Sequence, residues 1–125
     1  MRLLHTSITV RDMDASIRFY TENLGFRLVK RQEVPENNAE IAFLEDGETP
    51  HQIELTFWRS KREYVEGDQL DHIALQVNDV EKVVEELRRK GVTVKKEPYS
   101  LSAGKSRIAF ITDPNDIWIE LIQRT

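Results

Sequence analysis

His5-Thr6-Ser7-Ile8-Thr9-Val10-Arg11-Asp12 returns as His72-Ile73-Ala74-Leu75-Gln76-Val77-Asn78-Asp79, 67 positions later. Both copies alternate like a strand, open on a histidine and close on an aspartate suited to cap a helix. The correspondence continues outward. Ile41-Ala42-Phe43 returns as Ile108-Ala109-Phe110 at the same offset, and Ile53-Glu54-Leu55 returns as Ile119-Glu120-Leu121 at an offset of 66, one residue having been lost between them. A repeat of this kind marks two copies of one supersecondary unit.

The contents of the unit follow from periodicity. After the strand Leu3 to Val10, the residues Met13, Ile17, Tyr20 and Leu24 recur at helical spacing up to Gly25. Strands are predicted at Phe26 to Gln32, Ile41 to Leu44 and Gln52 to Trp58, with a polar loop at Pro35 to Asn38 and a turn at Asp46-Gly47. Arg59 to Gln69 is a charged connector. The second copy has a strand at His72 to Val77 and a helix striped by Val80, Val83, Val84 and Leu87 up to Gly91. Its further strands are Val92 to Lys96, Arg107 to Ile111 and Ile117 to Ile122, with a loop at Tyr99 to Lys105 and a turn at Asp113 to Asp116. The fold class is therefore α+β, with two βαβββ repeats at roughly residues 1–58 and 70–125 of a single domain. One half leaves a sheet face bare, so two must pair, within or between chains.

Composition narrows the function. The chain has 125 residues, 39% apolar and 32% charged, as expected for a globular domain. Net charge is −4 and the basic residues are scattered, which argues against a nucleic-acid partner. There are no cysteines, so any metal must be held by histidine and carboxylate. That absence fits a reducing cytoplasm, the expected location, and no stretch has the length and apolarity of a membrane span or a signal peptide.

The repeat also selects the chemistry. His5 and His72 each open the first strand of their half, and Glu54 and Glu120 each lie in the last. His5 shares a strand face with Ser7 and Thr9, His72 with Ala74 and Gln76, and Glu54 with Gln52 and Thr56. Small and polar neighbours of this kind suit a cavity floor. Taken alone, a strand histidine or glutamate is more often solvated or structural. Paired by the repeat, two imidazoles and two carboxylates make an N2O2 donor set suited to nickel, zinc, cobalt, iron or manganese, with coordination positions left open. A carboxylate within Ile117-Trp118-Ile119-Glu120-Leu121-Ile122 is costly to bury unpaired, and a metal is one partner that offsets the cost. His51 reads as a solvated turn histidine. Gly104-Lys105-Ser106 lacks the upstream glycine of a phosphate-binding loop, Tyr99 standing in its place.

At this point the sequence resembles the vicinal oxygen chelate superfamily, and within it glyoxalase I. The resemblance runs through Met1-Arg2-Leu3-Leu4-His5-Thr6, Phe19-Tyr20-Thr21 with Leu24-Gly25, Ile53-Glu54-Leu55-Thr56, His72-Ile73-Ala74-Leu75, Asp113-Pro114 and Ile119-Glu120-Leu121-Ile122. It implies sheets curling around a metal site, with His5, Glu54, His72 and Glu120 as ligands of one divalent ion, nickel or cobalt before zinc. It implies a homodimer whose sites lie between halves of different chains. The implied substrate is the hemithioacetal of methylglyoxal and a thiol, isomerised to an S-2-hydroxyacyl thiol with Glu120 as the base and Glu54 opposite it.

Three positions depart from the glutathione-using pattern. Thr9 stands where those members commonly carry an arginine, Trp58 where they carry an asparagine, and Ser102 where they carry a lysine, with Lys105 near enough to substitute. Thr9, Trp58 and Lys105 are thus the candidate substrate-binding residues, and the thiol is left open. The competing readings are an epimerase of the 2-methylmalonyl-CoA type, a fosfomycin thiol transferase and a metal-free drug-binding protein of the same fold.

Overall fold

Each helix begins where an aspartate side chain can accept from the first turn. Asp12 accepts from the Ala15 amide at 3.0 Å and Asp79 from the Lys82 amide at 3.1 Å. The computed structural model describes residues 1–61, 63–65, 67, 69–101 and 106–124. The chain divides into two units, Met1–Val65 and Glu66–Thr125.

In the first unit, β1 (His5–Thr9) leads into α1 (Met13–Arg18), which passes into a π turn at Phe19–Asn23. Then come β2 (Arg27–Val34), a 3-10 turn at Pro35–Asn37, β3 (Ala39–Glu45) and β4 (Gln52–Trp58). The sheet order is β1-β4-β3-β2, with β1 parallel to β4 and the other neighbours antiparallel. The second unit repeats this as β5 (Ile73–Gln76), α2 (Val80–Arg89), β6 (Thr93–Ser100), β7 (Ser106–Thr112) and β8 (Trp118–Arg124), in the order β5-β8-β7-β6. Both units match the βαβββ repeat.

Strand alternation divides each sheet into a core face and a second face. In the first unit Ile8, Ala42, Leu44, Ile53 and Leu55 are buried together with Val10, Met13 and Tyr20. In the second, Ala109, Ile111, Ile119 and Leu121 are buried with Val80, Val84 and Leu87, and α2 packs on β6, β7 and β8. The core thus occupies the helix side. His5, Glu54 and Glu120, in the alternate register, are on the other side.

Three expectations need correction. The sheets do not curl around a metal site: each is an open four-stranded sheet with edges at β1 and β2, or at β5 and β6. Closure requires hydrogen bonds between the two edges, and β2 and β6 carry register shifts and exposed lysines, both of which oppose edge pairing. The first strand begins at His5, and Leu3 and Leu4 before it are 77% and 63% exposed. Finally, β6 continues to Ser100, so Tyr99 and Ser100 are strand residues paired with Ile108 and Arg107.

Candidate active site

His5 lies opposite Gln52 in the parallel β1–β4 pair, and Ser7 lies opposite Glu54. His5 and Glu54 are therefore diagonal neighbours on one face, with small Ser7 between them. His5 Nε2 comes within 3.8 Å of Glu54 Oε1. The second unit reproduces the arrangement. His72 immediately precedes β5, Ala74 lies opposite Glu120, and His72 Nε2 is 3.8 Å from Glu120 Oε2. In both pairs the glutamate side chain is the more buried partner, 16% and 15% exposed.

Each pair has an aromatic ring beside it. Phe43 lies opposite Glu54 and meets the His5 ring edge-on at 5.2 Å; Phe110 lies opposite Glu120 and meets the His72 ring likewise at 5.5 Å. Each phenylalanine thus packs against one side of its imidazole. Asp71 Oδ1 accepts a hydrogen bond of 2.8 Å from His72 Nδ1, which leaves the Nε2 lone pair directed toward Glu120. The turn before β8 is closed by Asp113, whose Oδ1 accepts from the amides of Asn115 at 2.8 Å and Ile117 at 2.9 Å.

The two carboxylates differ in their neighbours. Ser7 Oγ lies 2.9 Å from Thr56 Oγ1, which donates to Glu54 Oε1 at 3.4 Å. In the second unit these hydroxyls are replaced by Ala74 and Ile122. Glu120 has no hydrogen-bond donor among the described residues.

A separation of 3.8 Å is too long for a hydrogen bond. It approaches the separation of about 3–3.5 Å between two ligands held at roughly 2.1 Å from one metal ion. Nitrogen and carboxylate donors converging without bonding each other fit a divalent cation. Among the described residues, no group of three or more histidine or acidic side chains gathers, so each unit offers one N–O pair.

The remaining sequence candidates are placed as follows. Thr9 is exposed at the far end of β1, opposite Thr56. Trp58 is half-buried at the end of β4, in the same alternation as Glu54. Lys105 and Ser102 lie outside the described residues. His51 is not solvated: it is half-buried, its Nε2 lies 3.0 Å from Thr6 Oγ1, and its buried Nδ1 has no partner among the described residues. Arg59 is held by Glu33 and stacks over Phe57. Sequence reasoning missed Asp71 and the roles of Phe43 and Phe110, although the repeated Ile-Ala-Phe segment already carried the two rings.

The chain matches the Glyoxalase/Bleomycin resistance protein/Dioxygenase superfamily over residues 2–121. The lactoylglutathione lyase of Haemophilus influenzae is 40% identical over 98% of this chain and 93% of the relative. A probable lactoylglutathione lyase of Vibrio cholerae is 37% identical over 98% and 90%. Among solved structures, glyoxalase I of Zea mays superposes with a TM-score of 0.88 at 34% identity, over 99% of this chain and 45% of that one. The trypanothione-dependent glyoxalase I of Leishmania major gives 0.82 at 34% identity, over 98% and 86%. The chain thus spans nearly all of the bacterial relatives but less than half the length of the plant ones. Two βαβββ units with matched His–Glu pairs, and these likenesses, place the chain in the vicinal oxygen chelate superfamily, to which it belongs. Within that superfamily it is glyoxalase I-like, an enzyme of the lactoylglutathione lyase type.

Proposed function

We propose that the enzyme isomerises the hemithioacetal of methylglyoxal and a thiol to an S-2-hydroxyacyl thiol, using one divalent metal ion held by His5, Glu54, His72 and Glu120. The observation that carries this reading is the matched geometry of the two His–Glu pairs, each 3.8 Å apart and each backed by a phenylalanine. A bound divalent ion supplies Lewis acidity toward the two adjacent substrate oxygens. We favour nickel or cobalt over zinc, and the mixed N2O2 set accommodates all three.

Glu120 takes the proton from the carbon bearing the sulfur and returns it to the neighbouring carbon. Its lack of hydrogen-bond donors supports that role, because no hydroxyl competes for its oxygens. Glu54, engaged by Thr56, is the steadier ligand and stands opposite the base. Phe43 and Phe110 pack against the imidazoles, and Asp71 fixes the His72 tautomer.

Each unit supplies one pair, so a four-ligand set takes both. We assign a homodimer in which His5 and Glu54 of one chain join His72 and Glu120 of the partner subunit. The thiol is a low-molecular-weight one. Thr9 and Trp58 depart from the glutathione pattern, and among the relatives one is described as trypanothione-dependent. Thr9, Trp58 and Lys105 are the residues we assign to thiol contact. The test measures metal content and hemithioacetal turnover on the same preparation after nickel, cobalt or zinc loading. Turnover that tracks bound metal is expected; turnover by fully metal-stripped protein would overturn the reading.

A further inference from the structure

His51 carries a buried imidazole nitrogen that the proposed reaction leaves without a task. Its Nε2 lies 3.0 Å from Thr6 Oγ1, and its Nδ1 is buried with no hydrogen-bond partner among the described residues. Nε2 thus engages Thr6 while Nδ1 gives up its hydration without return, which costs stability. The second unit has Ile117 at the position of His51, 66 residues on, and Ile73 at the position of Thr6, 67 residues on. All four side chains are half-buried. A pair that serves packing alone can therefore be apolar here, and the unmet nitrogen of the first unit calls for another reason.

The two units also differ in how each holds its histidine. Thr6 directly follows His5, and β1 includes His5 in its ladder, opposite Gln52. By the repeat β5 starts one residue later, at Ile73, so His72 precedes its strand. His72 has instead the 2.8 Å bond from its Nδ1 to Asp71. The first unit has Leu4 in the place of Asp71, which offers His5 no such anchor. Two contacts tie this strand start to the segment entering β4. One is the bond from the Gln52 amide to the Leu4 carbonyl at 3.1 Å, and the other is the contact between His51 and Thr6.

We infer that His51 is a positioning residue for His5. By holding Thr6 against the start of β4 it keeps His5 in the strand ladder and near Glu54, as Asp71 anchors His72 in the other unit. This rests on the metal-site reading above. His51 itself neither binds the ion nor moves a proton.

The test measures nickel affinity of the full-length protein by competition with a chromophoric chelator, and amide hydrogen exchange of the metal-free protein by NMR. His51→Ala and Thr6→Val should each weaken nickel binding about tenfold, as loss of an outer-shell partner does. The double variant should lose no more than either alone, because both remove one contact. His51→Gln and Thr6→Ser, which keep a donor and a hydroxyl in place, should bind nickel like the parent. In His51→Ala the Gln52 amide should exchange faster, while the Val10 amide, bonded to the Thr56 carbonyl at the far end of β1, should not change. His51→Ala with parent nickel affinity, or losses that add in the double variant, would overturn the inference. Faster exchange at Gln52 and Val10 alike would overturn it too, since that reports general destabilisation. A parent that holds no nickel would remove the metal reading and this inference with it, whereas a nickel-binding parent indifferent to His51 removes the inference alone.

Discussion

Glu54 and Glu120 occupy equivalent positions yet have different neighbours, and a conservative substitution should expose the difference. Glu120→Gln keeps size and a ligating oxygen but removes the base, so metal content should hold while turnover falls by about 10²–10⁴-fold. Glu54→Gln should lose less, because its partner Thr56 accommodates an amide as well as a carboxylate. His5→Ala or His72→Ala should release metal and lose activity with it. Elemental analysis and hemithioacetal turnover on the same preparations check all four variants, and full turnover by metal-bound Glu120→Gln would reduce Glu120 to a ligand. The four proposed ligand residues stand out in the sequence because the repeat pairs them. Asp71 does not, since its bond to the adjacent imidazole depends on the local backbone conformation, nor does the contrast between Thr56 and Ile122, which depends on which residues face the carboxylates. His51 misled for a similar reason: next to Pro50 it reads as a turn residue, but the parallel β1–β4 pairing brings Thr6 against it.

At the scale of elements, caps and turns that depend on one residue were legible, and register was not. Gln52–Trp58 is the strand its alternation predicts. Gly91 ends α2 at a φ of 85°, a left-handed conformation, with open space where a Cβ would go. Gly91→Ala should therefore destabilise through backbone strain alone, by about 1–2 kcal/mol in urea unfolding. The register shifts in β2 and β6 involve no glycine and leave no mark in composition, so they emerge only from the ladder. The Asp46 turn gives a pH-dependent test. Amides of Thr49 and Glu48 bond its carboxylate and lower its pKa below the ordinary 3.8. A depressed folded value means the stabilisation is complete above the ordinary value and is lost as pH falls through the folded one. The stability difference between the parent and Asp46→Ala should thus be present at neutral pH and shrink at acid pH, as read from urea midpoints. A difference that stays constant would assign the effect to turn packing instead.

For the whole molecule, the repeat foretold two similar units, but openness of each sheet was not foreseeable from alternation, which is the same in open and curled sheets. No helix among the described residues is long and apolar enough to cross a membrane. The proposed homodimer should appear as a mass near twice 14.6 kDa in light scattering at micromolar concentration. A strict monomer would require both His–Glu pairs to come from one chain. The most direct test of the central claim is metal stoichiometry after reconstitution with nickel, cobalt and zinc, measured by elemental analysis after desalting. The account predicts one tightly held divalent ion per chain, lost in His5→Ala and His72→Ala. Protein that retains none of the three metals, or retains them equally well in both alanine variants, would contradict it.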